Sequence, residues 1–294
     1  MRIEHIPTDD DAATIRIVGL SRDLTILHVT DSHMVEGDER DPEAAQHMTR
    51  FTELFEARTP GGVPPRQVFA RTLAEGREPS LDAAVLTGDI IHFPARAGID
   101  RIREGIASVG VPTLYTLGNH DWSFPHLEWS DETRQAWYPR FHDLTGGDPA
   151  CQALDVGGVR LIALDNSTYQ VSDRQVEFLR HQLAAGVPCL LFVHIPLAIP
   201  SLTPAVMETW KAPIMMGAEE GWTDETRQRW RVPGTLDSTR ACLELITAGP
   251  DNLAGVFCGH VHFAHVDAYR EGRCQYVTAP GFGGGSRVIH LEAM

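Results

Sequence analysis

The chain has 294 residues, 43% of them hydrophobic, which supplies a sizeable core for one large domain or two small ones. Lys plus Arg total 25 against 40 Asp plus Glu, a formal charge of −15, and this argues against a nucleic-acid surface, which needs a basic stripe. No apolar run approaches a membrane span, the start from Met1 to Asp10 lacks the apolar region of a secretory signal, and the five cysteines are odd in number and unclustered, so buried free thiols in a reducing cytoplasm are expected.

Residues 13–19 and 24–29 read as two strands around a turn at Ser21-Arg22-Asp23. Residues 42–58 look helical, with Pro42 at the start and Thr59-Pro60-Gly61-Gly62 as the stop, and 65–75 is a second helix. A strand at 83–86, an amphipathic helix at 94–108 and a strand at 113–116 follow. This β-α-β-α-β order predicts right-handed crossovers and a parallel sheet. Strands are expected at 152–156 and 160–164, then a helix over 172–183 with Ser172 as its N-cap. A strand leading to His194, a long irregular segment and a helix at 238–247 come next. The end is strand-rich, at 253–258, 264–270, 274–279 and 287–291, with turns at Gly272 and Gly281–Gly285. No repeat, low-complexity tract or linker interrupts the chain, so residues 1–294 are expected to form a single domain with a parallel first half and a hairpin-rich second half.

Five short motifs carry the chemistry. They are Asp31-Ser32-His33, Gly88-Asp89, Gly118-Asn119-His120-Asp121, His194 and Gly259-His260-Val261-His262, and each follows a short apolar run that reads as a buried strand. Ligands at the ends of several strands can converge on one point. Two side chains two apart on a strand point the same way, so Asp31 with His33, and His260 with His262, are expected to share a face. The donors are Asp, Asn and His without thiolate, a set that suits hard to borderline divalent metals such as Mn, Fe, Co or Zn.

This ordered set resembles the calcineurin-like metallophosphoesterase superfamily over about residues 23 to 292. The resemblance implies a four-layer α/β/β/α sandwich of two mixed β-sheets flanked by helices. It implies two divalent metal ions per chain, one held by Asp31, His33, Asp89 and His262, the other by Asp89, Asn119, His194 and His260, with Asp89 bridging. It implies in-line attack on a phosphate ester by a metal-bridging hydroxide, the metals roughly 3.5–4 Å apart. His120 would assist the leaving oxygen, and Asp121 would hold the His120 imidazole in its tautomer. The partner implied is a small phosphate-ester substrate. Phosphomonoesterase chemistry, or a non-catalytic binding module on the same fold, stays open as the alternative.

Departures narrow the subgroup. The sequence lacks the arginine that follows the bridging aspartate in protein phosphatases, and His92 stands where purple acid phosphatases place a tyrosine. What remains is similar to bacterial cyclic-nucleotide and glycerophosphodiester phosphodiesterases, including the runs Leu164-Asp-Asn-Ser167 and Gln175–Leu183. Against compact members, residues 36–80 and 197–235 read as insertions. The second holds Met207, Trp210, Met215, Met216, Trp222 and Trp230, and is open to three readings: a lid over the pocket, a local mini-core, or the contact of a homo-oligomer. His28 reads as a core histidine. His92, His126 and His265 read as neighbours of the ligands or surface groups, Asp165 as structural, and Gly281–Gly285 as a mobile turn.

Overall fold

A computed structural model describes residues 1–76 and 80–294; residues 77–79 of the first insertion lie outside the described residues. Six strands, β1 (Ile3–Ile6), β2 (Ala12–Ile17), β3 (Leu24–Val29), β4 (Ala83–Thr87), β5 (Thr113–Thr116) and β12 (Arg287–Ala293), form one sheet in the order β1-β2-β12-β3-β4-β5. The other six, β6 (Cys151–Val156), β7 (Val159–Leu164), β8 (Cys189–Phe192), β9 (Leu253–Cys258), β10 (His265–Arg270) and β11 (Arg273–Val277), form a second sheet ordered β10-β11-β9-β8-β7-β6. Both are mixed. The run β3-β4-β5 is parallel, as is β7-β8-β9-β11, while hairpins sit at the edges.

Every residue of β4 and β9 is buried, as expected of strands covered on both faces. Between the sheets, Ile15, Ile26 and Val85 pack with Leu161, Leu190 and Phe257. Outside the first sheet, α2 (Pro65–Glu75) and α3 (Arg96–Val109) bury Phe69, Leu73, Ile99 and Ile102 against Leu27 and Leu86. Outside the second, α5 (Asp173–Ala184) and α8 (Asp237–Ala248) bury Leu179, Leu183 and Ile246 against Ile162 and Val256. The result is a four-layer α/β/β/α sandwich. The start of α5 is fixed as its sequence predicts: Ser172 and Gln175 form a reciprocal capping box.

Two expectations need correction. The second half is not chiefly hairpins, because β7, β8, β9 and β11 run parallel, and β12 crosses back to lie between β2 and β3. The segment 197–235 is not irregular throughout, because it carries α6 (Thr203–Trp210) and α7 (Asp224–Trp230). Two further elements escape the periodicity reading, β1 and the short helix α4 (Asp131–Trp137). The remaining helix, α1 (Pro42–Glu56), lies in the first insertion. The five cysteines are free thiols, four of them buried.

Candidate metal centre

The parallel strands β3, β4, β5, β8 and β9 deliver Asp31, Asp89, Asn119, His194 and His260 from their carboxyl ends, where crevices form in α/β sheets. The local backbone differs from the sequence reading. Asp31, His33, Asp89, His260 and His262 have φ of 50°, 45°, 50°, 70° and 62°, the left-handed region that non-glycine residues rarely adopt. These residues lie past the strand ends, so strand alternation does not aim them. Tight left-handed turns do, at a cost the surroundings must offset. Asp31 N–H donates to Gly88 O and His33 N–H to Asp89 O, tying the first two motif loops together. Close approach makes two glycines obligatory: a Cβ on Gly88 would sit 2.3 Å from Gly118 N, and one on Gly259 would sit 2.2 Å from Asp31 Oδ2.

The turns gather two donor groups, Asp31 with His33 and His262, and Asp89 with His194 and His260. Asp31 Oδ1 lies 3.3 Å from His262 Nε2 and 3.8 Å from His33 Nε2. The other oxygen, Oδ2, accepts from His260 N–H and Thr30 Oγ1–H. Asp89 Oδ2 lies 3.2 Å from His194 Nε2 and 3.7 Å from His33 Nε2, so one oxygen faces both groups. The Asp89 Oδ1 atom accepts from His120 N–H. Buried Asp31 Oδ1, Asn119 Oδ1 and His194 Nε2 have no hydrogen-bond partner. Orphaned buried acceptors are costly unless something binds them. Acceptors of this kind, converging without thiolate, fit divalent cations.

Burial acts against the imidazolium of His194, but the Asp89 carboxylate outweighs it and lifts the group to about 10. Burial drives the His33, His92 and His260 imidazoles well below their usual range, only partly opposed by Asp89. His120 is lowered by burial too. Its ring stacks on His92 with centroids 4.3 Å apart and meets His33 edge-on at 5.1 Å.

The Asp121 side chain is fully buried among the motif loops. Its carboxylate accepts from the backbone N–H groups of Asp89, Gly118 and Ile91, at 2.7, 2.7 and 3.0 Å. The side chain therefore clamps the two loops that carry Asp89 and Asn119. Burial, with the Asp89 charge beside it, pushes this carboxyl up to about 7.

A cavity of about 380 Å³ opens over His33, Asn119, His120 and His262. The first insertion lends it Phe51, Leu54, Phe55 and Arg58; the second lends it Trp210 and Arg231; Trp129 completes the wall. Phe55 stacks on His33 at 4.6 Å, and Trp210 meets His262 edge-on at 5.3 Å while its Nε1–H donates to Val261 O. Sequence reasoning names Trp210 but misses Phe51, Phe55 and Arg58. Their spacing along α1 and just past its end, at i, i+4 and i+7, is the available signal.

The remaining candidates separate cleanly. His28 is buried between Thr278 Oγ1 and Thr87 Oγ1, away from both donor groups. His92 is buried against His33 and forms a third donor cluster with His33 and His120. His126 pairs with His47 at the surface, and His265 with Ser201. Asp165 accepts from Ser167 N–H and Tyr138 O–H, a structural role. The glycine turn is anchored at its start, where Gly281 N–H donates to Thr30 O and Phe282 N–H to Asp31 O, while Gly283 and Gly284 are exposed. Phe282 also meets His262 edge-on at 5.1 Å. Trp222 turns away from the cavity and donates to Ala218 O. Tyr169, unremarked in the sequence, sits 3.0 Å from His260 Nε2 through its hydroxyl.

Residues 24–264 match the family model of calcineurin-like phosphoesterases. The chain belongs to the calcineurin-like phosphoesterase family. Two curated relatives are similar to part of it. A protein of Rhodococcus erythropolis described as a probable cyclic nucleotide phosphodiesterase is 28% identical over 187 residues, 58% of this chain and 52% of that protein. A Mycobacterium tuberculosis protein described as a cAMP/cGMP dual specificity phosphodiesterase is 26% identical over 191 residues, 61% of this chain and 52% of that protein. The matched region thus spans about half the length of these relatives. Among solved structures, a dimetal phosphatase from Danio rerio shares the fold with TM-score 0.55 at 11% identity, over 88% of both chains. Among the described residues, no helix of this family member is long and apolar enough to cross a membrane.

Proposed function

We propose that the chain hydrolyses phosphate esters, phosphodiesters foremost, with two divalent cations. One would be held by Asp31, His33, Asp89 and His262, the other by Asp89, Asn119, His194 and His260. The observation that carries this reading is the Asp89 oxygen shared by both donor groups, 3.2 Å from His194 Nε2 and 3.7 Å from His33 Nε2. The diester preference draws on the descriptions of the two curated relatives. A cavity of about 380 Å³ supports it as well, since it has room for a substituent on each side of a phosphate.

Bound divalent cations supply Lewis-acid stabilisation of the phosphoryl oxygens and acidify water. The chain's own residues do the rest. His120 lines the cavity beside the donors, where its imidazole can hand a proton to the leaving oxygen. Asp121 keeps the Asp89 and Asn119 loops in register through three backbone amides. The walls of Phe55, Trp129 and Trp210 exclude water around the reacting group and offer ring faces to an apolar or aromatic ester.

The test is hydrolysis of bis-p-nitrophenyl phosphate and p-nitrophenyl phosphate by protein supplied with Mn, Co, Fe, Ni or Zn. The reading expects faster turnover of the diester, abolished by a chelator. Faster monoester turnover would make it a phosphomonoesterase. No turnover with any of the metals would leave a binding module.

A further inference from the structure

The cavity is larger than one phosphate needs, and the two insertions place one arginine each on its lining, Arg58 from the first and Arg231 from the second. Most other arginines of the chain are tied up, and Arg50 and Arg229, which also lie over rings, do not line the cavity. Arg160 and Arg174, for example, each make two hydrogen bonds to one carboxylate, of Asp155 and Asp148. Arg58 and Arg231 have no carboxylate partner among the described residues, although acidic groups outnumber basic ones by 40 to 25. Both lie over aromatic rings instead, Arg58 at 5.8 Å from the Phe55 centroid and Arg231 at 5.5 Å from that of Trp129. A guanidinium over a ring gains cation–π attraction while its N–H groups stay free for an oxyanion. Arg231 also ends α7 in the left-handed conformation, with φ 59°, an unfavourable state for a non-glycine residue.

We propose that Arg58 and Arg231 form a second anion subsite at the mouth of the cavity. The substrate class is then a phosphate ester carrying a further carboxylate or phosphate on one substituent, joined to the reacting phosphate through a flat or apolar part that lies among Phe55, Trp129 and Trp210. This rests on the phosphoesterase reading only for where the reacting phosphate sits. Cations at the donor groups serve that phosphate; the arginines serve the other end. The acidic surface elsewhere makes the paired guanidinium groups a local positive feature that selects doubly charged esters over singly charged ones.

The test measures binding of phenylphosphonate and 4-carboxyphenylphosphonate by calorimetry, to the full chain supplied with Mn and to Arg58→Gln/Arg231→Gln. The two probes differ only by the second anion. The intact chain should bind the carboxylated probe on the order of fivefold more tightly, the worth of two partly solvated charge pairs. The double variant should bind both alike, with its phenylphosphonate affinity within about twofold of the intact chain. An Arg58→Lys/Arg231→Lys variant should keep part of the preference, because charge remains and the planar fork is lost. Thermal midpoints should not move, since both side chains are exposed. Equal binding of the two probes by the intact chain, a preference that survives the double Gln variant, or binding of neither probe overturns the proposal. Bis-p-nitrophenyl phosphate turnover is followed in parallel. A preserved preference without any turnover sinks the phosphoesterase reading and leaves the anion subsite standing; turnover without preference does the reverse.

Discussion

His194 Nδ1 donates to the main-chain carbonyl of Thr87 at 2.8 Å. A carbonyl only accepts, so this bond holds a proton on Nδ1 and turns Nε2 toward Asp89 Oδ2, 3.2 Å away. Thr87 ends β4, two residues before Asp89. One strand of the first sheet therefore leads into the Asp89 carboxylate and also orients a histidine from the second sheet. Orientation of a ligand histidine by a backbone carbonyl is a recurrent device of metal sites.

His120 stands beside the donors, outside both the group of Asp31, His33 and His262 and the group of Asp89, His194 and His260. Replacing it by Ala should keep two cations per chain and lower kcat by on the order of 10²–10⁴ for an ester with a poor leaving group. The loss should shrink for p-nitrophenolate, which leaves without help. Equal losses across leaving groups, measured by steady-state kinetics, would instead assign His120 a purely electrostatic role.

Trp210 and Trp222 belong to one segment and should behave differently. Trp210 lines the cavity and its indole donates to Val261 O, next to His262. Trp210→Ala is expected to raise KM for a bulky diester several-fold, with kcat on bis-p-nitrophenyl phosphate within a few-fold. Trp222→Ala should leave KM alone and lower the thermal midpoint, because its ring packs against the second-sheet core. A shift in KM from the Trp222 variant, or none from Trp210, would return the segment to the status of plain core.

Much of this arrangement is legible in the chain itself. The strand runs before each motif are short and apolar, and Ser172 with Gln175 spells a capping box. The order of the motifs also indicates which side chains meet, since parallel strands bring their carboxyl ends to one edge. The route by which they meet is not legible. Left-handed φ at Asp31, His33, Asp89, His260 and His262 arises from loop-to-loop bonds such as His33 N–H to Asp89 O, which are tertiary. Asp121 illustrates the same limit: adjacency to His120 suggests a side-chain partner, whereas the fold gives its carboxylate three backbone amides. The cavity wall is hidden for a related reason. Phe55, Trp129 and Arg231 lie far apart in sequence and share a surface only after α1, the segment before α4 and the end of α7 fold over β-strand ends. The helices α6 and α7 are seven to eight residues long, too short for periodicity to mark them.

Acid should destabilise the fold through His28. Burial, with the Arg287 charge beside it, holds this imidazole down to about 3, against 6.5 in an unfolded chain. Above pH 6.5 neither state takes the proton and stability is full. Between pH 6.5 and about 3 the unfolded chain binds a proton that the folded chain refuses, so stability falls by about 1 kcal/mol per pH unit. His28→Asn should start less stable at pH 7.5 and lose less on acidification to pH 5. Parallel losses for both proteins in thermal melts would show that other groups govern the acid limb.

The shared position of Asp89 is tested most directly by counting cations. Elemental analysis of the protein equilibrated with Mn and desalted should find two per chain. In Asp89→Asn, which keeps the shape and weakens the bridge, it should find at most one, with activity lost alongside. Two cations retained in the variant, or one in the unaltered chain, would contradict a dinuclear site built around this carboxylate.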